Sequence, residues 1–177
     1  MIETDRLILR RWDEADRAPF AALNADPRVM RYFPAPLTRA ESDAMVDRIE
    51  AGIAANGFGP LAVALKTERR FIGCVGLGRT HPALALSPAI EIMWRLSCDA
   101  WGQGFAAEAA NACLDLAFGA LGFSEVVSFT AAPNTPSQKV MQRIGMHRDP
   151  ARDFDHPLVA DGSWLKPHLV YRALRGA

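Results

Sequence analysis

The sequence predicts one domain of the α+β (α/β) class, spanning 1–177: a mixed, mostly antiparallel sheet with a single βαβ unit at its centre. Three observations predict it. Two apolar runs, Phe58 to Lys66 and Arg70 to Leu77, meet across the short polar turn Thr67-Glu68-Arg69, the signature of a hairpin. The alternating run from Ile90 to Leu96 is followed by a long helical pattern and then by the β-branched run Val126 to Thr130, the order of a crossover between parallel neighbours. The chain has 177 residues, half of them hydrophobic, with no repeat, linker or low-complexity segment, which suits one core.

Taken in order, Arg6 to Arg10 alternates, with Leu7 and Leu9 on one face, as a first strand. Asp13 is placed to cap a helix through Ala25, and Asp26-Pro27 opens a short helical turn through Tyr32. Pro34 and Pro36 break the chain. Thr38 and Glu41 have capping-box spacing for a helix to about Ala55, whose apolar stripe is Met45, Val46, Ile49 and Ile53; Asn56-Gly57 ends it. Phe58 to Lys66 and Arg70 to Leu77 form a hairpin, with Gly73, Gly76 and Gly78 marking bulges or close packing. After the central strand comes a helix over 103–121 ending near Gly122, then the strand 125–131. Pro133 to Ser137 turns into a short helix stopped by Gly145, and after a polar stretch His168 to Leu174 is the last strand.

Composition excludes some classes of partner. Twenty Lys and Arg balance twenty Asp and Glu, so no basic surface argues for nucleic acid and no extreme charge for a membrane. The N-terminal MIETDRLILRR lacks a signal-peptide core, and no apolar run approaches spanning length, so a cytoplasmic protein is expected. Cys74, Cys98 and Cys113 lack paired metal spacing and read as buried, reduced thiols.

The chemistry is expected between Ala89 and Ala110. Gly102 and Gly104 allow a sharp turn and close approach of a ligand just before a helix, where unpaired backbone N–H groups and the helix dipole favour anions, phosphate above all. A nucleotide P-loop would need Lys then Ser or Thr after the last glycine, where this chain has Phe105. A dinucleotide fingerprint would need a third glycine, where it has Ala107. An ordinary strand–turn–helix with no ligand is the plain alternative.

Trp101-Gly102-Gln103-Gly104-Phe105-Ala106 resembles the acetyl-CoA pyrophosphate loop of the GNAT N-acetyltransferase superfamily, Q/R-x-x-G-x-G/A, with Trp where Gln or Arg is commonest. Trp-Gly-x-Gly-aromatic-Ala-x-Glu-Ala is similar to the wording of its RimJ/RimL-like branch (the ribosomal-protein-alanine N-acetyltransferase type). So is Pro133-Asn134-Thr135-Pro136-Ser137 through Ile144-Gly145-Met146, although Met146 replaces a Phe. The opening Thr4 to Arg10 and the run Gly57-Phe58-Gly59 with Phe71 to Leu77 are similar to the same branch. These matches, in order, cover most of residues 4–147.

The resemblance implies the GNAT fold, with splayed central strands, and transfer of acetyl from acetyl-CoA, without a metal, to a primary amine: a protein N-terminus or a small molecule. It implies pyrophosphate contacts from the backbone of Gly102, Gln103, Gly104, Phe105, Ala106 and Ala107, and pantetheine contacts from the strand backbone at Trp94, Arg95 and Leu96. Asn134 would contact the cofactor arm, Ser137 the departing sulfur, and Glu91 would take the amine proton. A Tyr just after the second motif serves as acid in many relatives; here none follows Met146 until Tyr171, which favours Ser137.

Each residue has a plainer reading: Asn134 as a helix-start turn, Ser137 as a first-turn serine, Glu91 as a solvated or salt-bridged strand residue. Cys98 reads as structural, having no His–Asp partner. Asp153, Asp155 and His156 read as part of a flexible lid over the acceptor pocket, shaped by Arg148 to Pro167 and Met30 to Thr38, rather than as a metal site. Trp12, Phe33 and Trp164 are candidates for the acceptor side, or core. A non-catalytic acyl-CoA-binding or regulatory module on the same fold is the rival function, and monomer and homodimer stay open.

Overall fold

The computed structural model describes residues 1–176. The strands are β1 (Ile2–Glu3), β2 (Leu7–Arg10), β3 (Pro60–Leu65), β4 (Phe71–Arg79), β5 (Ile90–Leu96), β6 (Glu125–Ala131), β7 (His147–Arg148), β8 (Phe154–Asp155) and β9 (Pro167–Leu174). The α-helices are α1 (Glu14–Ala25), α2 (Arg39–Asn56), α3 (Phe105–Phe118) and α4 (Thr135–Arg143). Nine strands form one sheet in the order β1-β2-β3-β4-β5-β6-β9-β7, with β8 also on β9. Every pairing is antiparallel except β5 with β6, the two ends of the βαβ unit.

The cap signals hold. Asp13 and Asp16 form a reciprocal capping box on α1, and Thr38 and Glu41 form another on α2. Gly57 ends α2 at φ 80°, a left-handed conformation that favours glycine. Between Val63 and Ala64 the β3–β4 register shifts opposite Gly73. A Cβ on Gly73 would lie 2.2 Å from the Arg95 carbonyl, so the close approach of β4 to β5 requires glycine there.

Two apolar layers sandwich the sheet. Leu9, Val75, Leu77, Ile92 and Leu96 pack with Ala109, Cys113 and Ala117 of α3 on one face. Trp12, Phe20, Leu23, Val46 and Ile53 pack on the other with α1 and α2.

The structure departs from the sequence reading in two places. It adds β1, β7 and β8, strands of two residues each, too short to carry an alternating pattern and formed only by pairing with a neighbour. It also ends α3 at Phe118, because the N–H groups of Leu121 and Phe123 fold back onto the Leu116 and Ala117 carbonyls. No helix among the described residues is long and apolar enough to cross a membrane.

Candidate active site

The site begins where two strands part. β5 and β6 share one registered pair, Glu91 with Val127, and beyond it they diverge. A cleft of about 1210 Å³ opens there, lined by Met93 to Leu96 on one side and Ser128 to Thr130 on the other. That volume exceeds what one small ligand needs.

Strand geometry fixes what faces the gap. The Ser97 N–H donates to the Ile72 carbonyl, on the β4 side. Backbone groups alternate sides along a strand, so those of Arg95 also face β4 while those of Trp94 and Leu96 face β6. The Leu96 carbonyl accepts from the Trp101 indole N–H at 2.9 Å, which ties the loop to the end of β5. Trp94 therefore presents backbone donor and acceptor to the gap. Arg95, expected with it, contributes instead a side chain on the opposite face of β5 from α3.

The loop has the form an anion site needs. Gly102 and Gly104 sit at φ 74° and 82°, and Gly104, the N-cap of α3, has no side chain to cap the helix. The Glu108 N–H is the first to bond back into the helix, onto the Gly104 carbonyl. Gly102, Gly104, Phe105, Ala106 and Ala107 line the cleft; Gln103 does not, since its side chain donates to the Asp99 carbonyl.

A clasp absent from the sequence reading holds this loop. Thr4 Oγ1 donates to Glu108 at 2.6 Å, the Arg6 N–H at 3.0 Å and Arg6 Nε at 2.7 Å, while Arg6 Nη1 reaches the Gln103 carbonyl at 3.0 Å. Burial pushes the Glu108 carboxyl up, but these donors outweigh it and hold it below its ordinary value. The signal was present in the paired motifs Thr4-Asp5-Arg6 and Ala107-Glu108-Ala109, whose contact spans a hundred residues of chain.

On the α1–α2 face of β5 stand Glu91, Met93 and Arg95. Burial lifts the Glu91 carboxyl from 4.5 to about 8, with no cation opposing it. The salt-bridge alternative for Glu91 is thus not what the structure contains among its described residues. Arg95 is pulled below its usual value by burial, and only the Cys74 thiol acts the other way.

Asn134 is the N-cap of α4: its Oδ1 accepts from the Ser137 N–H at 3.3 Å and its Nδ2 donates to Thr130 Oγ1 at 2.8 Å. Asn134 and Ser137 both line the cleft. Tyr171 packs inside the core and donates to Gln138 at 3.4 Å, away from the cleft lining. Cys74 and Cys113 are buried as expected, but Cys98 is only half-buried, 3.7 Å from Asp26, and partial desolvation raises its thiol.

The acceptor side needs correction. Arg148 to Pro167 does not line the cleft. Asp153 is bound to Arg148 and accepts from the Val170 N–H at 2.9 Å, and β7 and β8 pair with β9, so the segment belongs to the sheet edge. It reaches the rim through Trp164, whose ring meets Tyr32 at 6.0 Å. Trp12 is core, against Phe20, whereas Arg31, Tyr32 and Phe33 do line the cleft. No cluster of three or more His, Cys, Asp or Glu among the described residues could hold a metal ion.

Residues 6–147 match the family model described as Acetyltransferase (GNAT) domain. The chain is 29% identical over 169 residues to the uncharacterized protein YkkB of Bacillus subtilis, covering 95% of this chain and 92% of that one. It is similar to the crystal structure of an acetyltransferase from Agrobacterium tumefaciens, with 30% identity, TM-score 0.80, and 97% and 92% of the two chains covered. Its fold is also that of Mycobacterium smegmatis RimJ, solved with CoA-disulfide, at 20% identity and TM-score 0.75 over 95% of this chain and 81% of that one.

Proposed function

This chain belongs to the GNAT acetyltransferase family, and on that premise we propose that it moves the acetyl group of acetyl-CoA to a primary amine by direct attack, in the cleft between β5 and β6. One observation carries the reading: a half-buried carboxyl, Glu91, stands where the two strands part, and the uncapped start of α3 follows β5 at the open end of the same gap.

In this reading the N–H groups of Gly102 and of Gly104 to Ala107 hold the pyrophosphate, and the Trp94 backbone pairs with the pantetheine amides as an added strand would. The amine nitrogen bonds to the thioester carbonyl carbon and the carbon–sulfur bond breaks. The proton released from the amine passes to Glu91, directly or through one water. A base whose pKa lies near 8 is well matched to an amine, since it ionises near the working pH. The Ser137 hydroxyl gives a hydrogen bond to the departing sulfur, which leaves as the thiolate and takes a proton from water, while Glu91 returns the amine's proton to solvent, so that CoA is released as the thiol. Asn134 positions that serine through the α4 cap. The acceptor is a protein N-terminal amine, as for RimJ-like enzymes, or a small amine.

The test is thiol release from acetyl-CoA against a panel of amines. Free CoA formed in step with acetylated amine supports transfer; CoA-induced thermal stabilisation with no thiol from any amine supports a binding module instead. Ser137→Ala is expected to lower kcat about tenfold with CoA affinity unchanged. Asn134→Ala is expected to lose about 1 kcal/mol of stability with the cap and to lower turnover as well. Wild-type turnover in Ser137→Ala would remove the serine from the reaction.

A further inference from the structure

Arg95 is a half-buried guanidinium without a counterion among the described residues. Elsewhere the chain supplies one: Arg10 holds Asp16 at 2.6 and 2.8 Å, Arg6 holds Glu108 at 2.6 Å, and Arg148 holds Asp153. No carboxylate lies within ion-pair distance of Arg95 among the described residues. Its Nη1 donates to Asn24 Oδ1 at 2.6 Å, and the same Asn24 donates from Nδ2 to Ser42 Oγ at 2.9 Å. Asn24 on α1 and Ser42 on α2 are both 0% exposed. Phe33 lies under the guanidinium, 4.2 Å from ring centroid to Cζ. Two helices and an aromatic ring thus fix the cation in place, yet use few of its five N–H donors. Burying an unpaired charge is unfavourable unless an opposite charge arrives.

The cleft gives that charge a direction. Arg95 lines it. So do six further Lys or Arg side chains, against one carboxylate among the described residues, Glu91. Glu91 and Arg95 share a face of β5, four residues or about 13 Å of strand apart. The phosphate-binding start of α3 lies across the strand, since Leu96 and Ile92 pack with α3 while Arg95 meets α1 and α2. The cation therefore belongs to the acceptor half.

We propose that Arg95, held by Asn24 and stacked on Phe33, is a carboxylate-binding subsite, and that the amine acceptor is anionic: an amino acid, or a peptide whose first residue is acidic. This rests on the acyl-transfer reading of the cleft, with Glu91 at the amine end and Arg95 at the acid end. Polyamines, cationic along their length, are disfavoured by the same set of charges.

The experiment compares matched acceptors on the intact enzyme: β-alanine and glutamate, their carboxamides, Glu- and Gln-initiated tripeptides, and spermidine. Acids are expected to exceed their amides at least tenfold in kcat/KM, mainly through KM. The peptide pair distinguishes a free amino acid from an acidic N-terminus. In Arg95→Met the acid-to-amide ratio is expected to fall to near one, with the Kd for CoA as the check that the cleft is intact; Arg95→Lys is expected to restore part of the preference. Equal use of acids and amides, or spermidine as the best acceptor, overturns the proposal, as does an unchanged ratio in Arg95→Met.

A second measurement does not depend on turnover. Glutarate, which has no amine, is expected to stabilise the CoA-loaded parent thermally while glutaramide does not. Stabilisation by glutarate with no acetylation of any amine would leave the subsite standing and remove the transferase reading; equal effects of the two compounds would remove the subsite.

Discussion

Gly102→Val is expected to weaken coenzyme A binding about a hundredfold while leaving a folded protein. Gly102 has φ 74°, and a Cβ there would meet no protein atom within 4 Å. The Cβ therefore meets open space beyond its chain neighbours; the substitution costs about 1–2 kcal/mol of left-handed backbone strain, somewhat more for a β-branched residue. It also fills the space in front of the amides that would grip the pyrophosphate. Losing one or two charge-assisted hydrogen bonds, at about 1.5–3 kcal/mol each, accounts for the factor. Gly122→Val is the matched control. Gly122 has φ 69°, also meets nothing within 4 Å, and lies between α3 and β6 away from the cleft lining. Both variants should lose similar stability by chemical denaturation, and calorimetry with CoA should separate them. Equal CoA affinity in the two would place the pyrophosphate somewhere other than this loop.

That contrast shows why the loop was legible in sequence and its support was not. Two glycines before an apolar helix announce a backbone device, because only the backbone needs them. The splay of β5 from β6 has no sequence period of its own; it came by resemblance, and the structure expresses it as one registered pair, Glu91 with Val127. The clasp of Thr4 and Arg6 on Glu108 joins residues over a hundred positions apart, and pattern reading has no term for such contacts.

The acceptor side was read least well for a related reason. The stretch 148–167 is polar and rich in Pro and Asp, which looks like a free loop, yet its backbone pairs with β9 and its charges with one another. Arg95 alternates with hydrophobic residues on the central strand, so its place on the α1–α2 face could be read. Its lack of a carboxylate could not, because that depends on which side chains three other elements bring to it.

Glu91→Gln is expected to have the larger consequence for catalysis, and its pH dependence has a fixed sign. The folded protein keeps the Glu91 proton up to about pH 8, while the unfolded chain releases it near 4.5. Between those values the unfolded state binds fewer protons, so stability falls as pH rises, by up to about 1.4 kcal/mol per pH unit, and levels off above 8. Gln cannot ionise. Glu91→Gln should match the parent near pH 4 and exceed it increasingly toward pH 8, as denaturant titrations at several pH values would record.

In kinetics the order reverses. In the proposed reaction the ionised carboxylate accepts the amine's proton, so the parent's kcat/KM should climb toward a limb near pH 8, measured with an amine whose own pKa lies well below that. The variant should lose the limb and about a hundredfold or more of kcat/KM. Extra stability at pH 8 together with undiminished kcat/KM would mean that the carboxyl is buried as inferred but accepts no proton from the amine, and that the amine arrives already neutral from water.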